Sequence, residues 1–216
     1  PKATWRTTLL GQDTDAIAAA GLCGTCHNLE NPALSWDAAR QQYWPNAENS
    51  PPPSVDPDSN FPVERTFDEW RSSDYASAEG VMAPAFAGAK ADGIVRSCQD
   101  CHMPRTTGLA ASTGSPVLRD CKTTGCLPAH VLVGGNTWVP QLLQDARWRL
   151  AAQQDAAALD ASVLAARDML QKSATLSLSV AQNSGGKQAI VRITNESGHK
   201  LPTGYAEGRR MWITLE

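Results

Sequence analysis

The apolar and polar positions change period at about residue 173. Before that point the pattern is helical. "PQLLQDARWRLAAQQDAAALDASVLAARDMLQ" is rich in Ala, Leu, Gln and Arg, all strong helix formers, and predicts one long element from about Val139 to Ser173. Leu142, Ala146 and Leu150 share a face, Leu159, Val163 and Leu170 continue the stripe, and Pro140 suits the first turn. "DTDAIAAAGLCGTCH" predicts a helix from Asp13, with Asp13 or Thr14 as N-cap, and "FPVERTFDEWRSSDYA" predicts another over Thr66 to Ser72. Between them lies "NAENSPPPSVDPDSN", which reads as a long surface loop or as chain wrapped around something other than protein. "VMAPAFAGAKADG" reads as a Gly- and Ala-rich linker.

After Ser173 the period is two. "TLSLSVAQ" alternates Leu176, Leu178 and Val180, "NSGG" turns, and "QAIVRITN" alternates Ala189, Val191 and Ile193. "MWITLE" predicts a third strand. The fold class this predicts is mixed: mainly α and irregular coil, with a small antiparallel β element at the C-terminus. Residues 1–173 form one region and 174–216 a β-rich segment. So small a sheet is marginal alone, so it is expected to pack on the first region or to continue past Glu216.

Composition narrows the functional classes. The chain has 216 residues and a formal net charge of -3, with a pI near 5.8 and no basic run. Nothing in this points to nucleic acid as a partner. No apolar run approaches the ~18 residues of a membrane span. The sequence opens at Pro1 without a signal peptide, so it is expected to be a mature, processed or trimmed product whose targeting peptide has already gone; the expected location, on the cysteine chemistry that follows, is periplasmic or extracellular. A coil this rich in proline makes a poor core, and a large apolar cofactor would supply what is missing.

The six cysteines form three close pairs, Cys23/Cys26, Cys98/Cys101 and Cys121/Cys126. Around the first the chain reads "LCGTCHN" and around the second "SCQDCHMP". Both are C-x-x-C-H, the pattern of c-type haem attachment. Two thiols add to the two porphyrin vinyl groups, and the adjacent histidine, His27 or His102, is delivered to the iron from one face. A redox disulfide would not need the histidine twice, and the spacing between the pairs is long for a zinc finger. Two haem c groups are therefore expected, with coil and helices wrapped around them.

His130 and His199 remain, two histidines for two distal positions. Met82, Met103, Met169 and Met211 compete for that role, although Met103 adjoins His102 and cannot reach the opposite face of the same haem. The third pair, in "DCKTTGCLPAH", has no histidine directly after it. It is expected to close a short disulfide, which suits the oxidising compartment in which haem c is attached. Phe67, Trp70 and Tyr75 are candidates to pack on porphyrin. Arg209 and Arg210 are candidates for haem propionates, since Arg makes bidentate carboxylate contacts.

Four stretches, "FDEWRSSDYA", "CQDCHMPR", "HVLVGGNTWVPQLLQD" and "GHKLPTGYAEGRRMW", occur in this order and cover roughly 61–212. In them the chain resembles the soluble multihaem c-type cytochromes of bacteria and archaea. The resemblance implies that His130, before a G-G-N turn, and His199, in a G-H-x-L-P-T-G turn, are distal iron ligands. Spacing does not assign them to particular irons; the expectation carried forward is His130 on the first haem and His199 on the second. The chain departs from many relatives in having only two haem motifs and in carrying "CKTTGC" before His130.

Iron with both axial positions filled has no open site for substrate. The expectation is therefore electron transfer, not enzymatic catalysis, at the low potentials that bis-histidine ligation favours over His/Met. Expected partners are redox proteins or other cytochromes. Two rival readings are a reductase or peroxidase with one open iron, and a subunit of an extracellular cytochrome filament or other homo-oligomer.

Overall fold

The computed structural model of the protein describes residues 16–48, 60–110, 114–123, 125–145, 155–205 and 209–214. It corrects the expected fold class. Among the described residues helix accounts for only 27 %, and no helical fold wrapped around a haem is evident there. The described strands form one three-stranded and four two-stranded sheets, all antiparallel.

Most of the described helices are short. The expected long element is two helices, Val139–Gln144 and Ala156–Lys172, and residues 146–154 lie outside the described part. Asp145 turns extended (ψ 129°) and ends the first of these. Asp155 caps the second by accepting the Ala157 N–H at 2.9 Å, as Asp does at N-caps. Propensity alone favours continuation, but aspartates that bond to local backbone compete with helix.

The strands that the alternation rule misses follow the first helix. Leu29–Asp37 (β1) pairs with Gln42–Pro45 (β2) on one side and Asn60–Glu64 (β3) on the other. Asp37 makes the β1–β2 turn by accepting the Ala39 and Arg40 N–H groups on Oδ1 at 2.9 and 3.0 Å. Aromatic residues then supply cross-strand packing. Tyr43 meets Trp36 and Phe61 edge-on at 5.3 and 5.1 Å, and the Arg40 guanidinium lies over Trp44 at 4.6 Å.

The chain divides into two units. One comprises Pro1–Glu79 with Gly198–Glu216, the other Gly80–Ser197. The expected boundary at residue 173 thus falls inside the second unit. In the first unit, Ala16–Gly24 (α1) and the β1–β3 sheet accompany Thr66–Arg71 (α2), whose Trp70 is buried, as is nearby Tyr75.

In the second unit the expected linker is core. Val81–Met82 (β4) pairs with Ile94–Val95 (β5), and Pro84–Ala87 (α3) lies between them. Phe86, Ala87 and Val95 are buried there. Cys98–His102 (α4) follows, and then Arg105–Thr106 (β6), Gly108–Ala110 (β7), Val117–Arg119 (β8) and Leu127–Pro128 (β9) pair as β6–β9 and β7–β8. The helices Val139–Gln144 (α5) and Ala156–Lys172 (α6) are joined by Gln144 Nε2 donating to Asp160 at 2.8 Å, and Val163 and Ala166 are buried.

The period-two segments do form a hairpin, Ala174–Asn183 (β10) with Gly186–Asn195 (β11), in continuous register from Ala174↔Asn195 to Asn183↔Gly186. Leu178 pairs with Val191 yet is 59 % exposed. The expected third strand is absent among the described residues, since 209–214 adopt no strand.

Candidate functional site

Both C-x-x-C-H motifs fold as helical turns. In the first, α1 runs on through Cys23, whose carbonyl accepts the N–H groups of Cys26 (3.1 Å) and His27 (2.8 Å). In the second, the whole motif is α4, capped by a Ser97/Asp100 capping box. Helical residues three and four apart share a face, so this conformation gathers the two thiols and the histidine of each motif on one side. Cys23, Cys26, Cys98 and Cys101 all lie outside any disulfide.

The first histidine is held at both ends. His27 Nδ1 donates to Glu64 Oε2 at 3.0 Å, and its backbone carbonyl accepts the Phe67 N–H at 2.9 Å. Glu64 is itself oriented, because its other oxygen accepts the Thr66 N–H at 2.9 Å. Gly24 permits the approach: a Cβ there would lie 2.7 Å from the Phe67 ring.

α2 also holds the turn that carries His199. Glu69 Oε2 accepts from the Lys200 N–H at 3.1 Å and from Thr203 Oγ1 at 2.6 Å, and Thr66 Oγ1 meets Thr203 Oγ1 at 2.8 Å. Gly198 lies against Trp70 and Tyr75, where a Cβ would sit 3.2 Å from the indole. His199 Nδ1 donates to the Lys200 carbonyl at 3.0 Å. Trp70 and Tyr75 are therefore protein-packed, and Phe67 lies against Gly24 and, at 5.5 Å, the Trp70 ring.

The second motif is fixed by charge. Asp100, between its two cysteines, is 3 % exposed. It accepts from Arg96 N (3.0 Å), Ser97 N (3.3 Å), Lys90 Nζ (3.2 Å) and Arg105 (3.2 Å). Burial pushes this carboxyl up, but the Arg96 N–H, Lys90 and Arg105 outweigh burial and hold it below the ordinary carboxylate range. Burial, and then the Asp100 charge, push the Cys101 thiol up to about 12. His102 Nδ1 donates to the Val133 carbonyl, whose own N–H donates to the His102 carbonyl at 3.1 Å.

His130 is exposed in the turn after β9, beside Ala129, whose N–H donates to the Pro104 carbonyl at 3.0 Å. The units thus place His27 with His199 and His102 with His130. Arg209 donates to the Thr203 carbonyl at 2.8 Å and Arg210 to the Arg209 carbonyl at 3.0 Å; both are exposed. Cys121 and Cys126 are disulfide-bonded, with Cα atoms 4.2 Å apart.

Among the described residues no group of three or more His, Cys, Asp or Glu is arranged to hold a bare metal ion. A haem asks for something else, two thiols and one or two imidazoles, because the porphyrin supplies the equatorial nitrogens. The residues fit that demand. A carboxylate or carbonyl can only accept, so Nδ1 is the donor in His27, His102 and His199, and in the neutral imidazole that leaves the lone pair on Nε2. This is the arrangement of a metal-ligating histidine with a second partner fixing its tautomer.

Comparison with protein-family models, with curated proteins and with solved structures gives no match. No helix among the described residues is long and apolar enough to cross a membrane.

Sequence reasoning missed Glu64, Glu69 and Asp100. Asp100 had a local signal, since Ser97-x-x-Asp100 has capping-box spacing. Glu64 and Glu69 act on residues 37 and 131 positions away, and no local pattern reports such a contact.

Proposed function

We propose that the chain carries two covalent c-type haems and passes single electrons, as a dihaem cytochrome or the dihaem part of a larger multihaem one, in a periplasmic or extracellular setting. One observation carries the reading: each C-x-x-C-H histidine has its Nδ1 committed to a protein acceptor, which orients Nε2 as a ligand. The resemblance to multihaem cytochromes points the same way.

When bound, haem c supplies an iron centre that cycles between ferric and ferrous by one electron. Cys23 and Cys26 would tether the first group and Cys98 and Cys101 the second, each as thioethers. His27 and His102 would be the proximal ligands, and His130 and His199 the distal ones. Arg209 and Arg210, on the segment after the His199 turn, would serve propionates. Redox proteins or other cytochromes are the partners this chemistry requires.

Intact mass of protein matured in an oxidising compartment should show two haems, and the ferric EPR spectrum should be low-spin. A high-spin fraction that binds cyanide would redirect the reading to a reductase or peroxidase. His199→Ala should turn one haem high-spin; an unchanged spectrum removes His199 from the ligand set.

A further inference from the structure

The two proximal histidines differ in what they lean on. At the first motif the acceptor is the Glu64 carboxylate, 3.0 Å from His27 Nδ1 and only 18 % exposed. At the second it is the neutral Val133 carbonyl. An anionic acceptor draws the Nδ1 proton more strongly and makes Nε2 the more basic ligand. A more basic ligand stabilises ferric over ferrous iron.

The surrounding charge acts in the same sense. Asp100 at the second motif is answered by two cations, Lys90 and Arg105, so that cluster carries net positive charge. Glu64 is answered by neutral donors, the His27 Nδ1–H and the Thr66 N–H.

We infer that Glu64 sets the two centres apart and gives the first haem the lower reduction potential, so that an electron shared by the pair rests on the second. Glu64 is then a positioning and tuning residue, acting on iron through His27. The inference rests on the dihaem reading above.

The test is a spectroelectrochemical titration of the two-haem protein. Two one-electron waves are expected. Glu64→Gln, which keeps the shape and removes the charge, should raise the lower wave by about tenfold in the reduction constant, or about 59 mV for one electron. The upper wave should stay in place, and Glu64→Asp should restore most of the shift. A lower wave unmoved in Glu64→Gln, with both haems present and low-spin, overturns the inference and leaves the dihaem reading standing.

If Glu64→Gln fails to retain the first haem, a second variant decides. Cys98→Ala/Cys101→Ala keeps only the first haem, which should titrate at the lower wild-type wave; titration at the upper wave overturns the assignment. Wild-type protein without two haems by mass would overturn the dihaem reading itself.

Discussion

Asp100 shows how much one side chain can decide. It sits between the two cysteines of a motif, buried, with four donors on it. Removing one partner of a buried charge cluster leaves the others uncompensated. Asp100→Ala should therefore cost the second unit about 3 kcal/mol, read by chemical denaturation at neutral pH. The folded carboxyl titrates below its ordinary 3.8, so its contribution is fully present above that value. It is lost as the pH falls through the depressed value. Asp100→Asn should accordingly flatten the acid limb of stability below about pH 4; an unchanged acid limb would assign acid sensitivity to other groups. At this scale the sequence was informative where chemistry is local: the helix leading into Cys23 and the short Cys121–Cys126 disulfide loop could be read directly. Glu64 could not, because its role is fixed by a sheet that brings it back to His27.

Among the elements, α2 matters most for the first motif. Six residues long, it holds the His27 segment through Phe67 and the His199 turn through Glu69. Glu69→Ala should release Lys200 and Thr203 at a cost of about 2 kcal/mol, with faster amide exchange confined to 198–204. Gly24→Ala forces the Phe67 ring aside and should cost about 1–3 kcal/mol as overpacking; thermal denaturation unchanged from wild type would contradict the contact.

The helix of Thr66 to Arg71 was legible to within a residue and the β10–β11 hairpin to within two, since its alternation has no competitor. The β1–β3 sheet was not. Its strands carry a proline each or bulged registers, and its aromatics, not an alternating pattern, do the pairing. The long α5–α6 helix was overread, because summed propensity ignores what Asp145 and Asp155 do locally.

For the whole molecule, the two-unit division distributes the chemistry evenly, with one C-x-x-C-H motif and one further histidine in each. Ending the chain at Ser197 should strip Trp70 and Tyr75 of their Gly198 cover. The first unit's exchange protection should fall while that of Gly80–Ser197 stays; loss across both would contradict the division.

The first unit is also split in the chain, and that has a consequence in time. Its closing contacts join residues 131 to 137 positions apart, whereas His27 and Glu64 are 37 apart. The longer closure costs about 1 kcal/mol more in loop entropy, and it must wait for synthesis of everything between. A chain emerging N-terminus first completes the surroundings of Cys98–His102 while the Gly198–Thr203 turn is still unmade. The motif that comes second in the sequence is thus the first whose surroundings are complete. His27 can seat on Glu64 before the Gly198–Thr203 turn reaches α2, because the first contact closes a far shorter stretch of chain than the second.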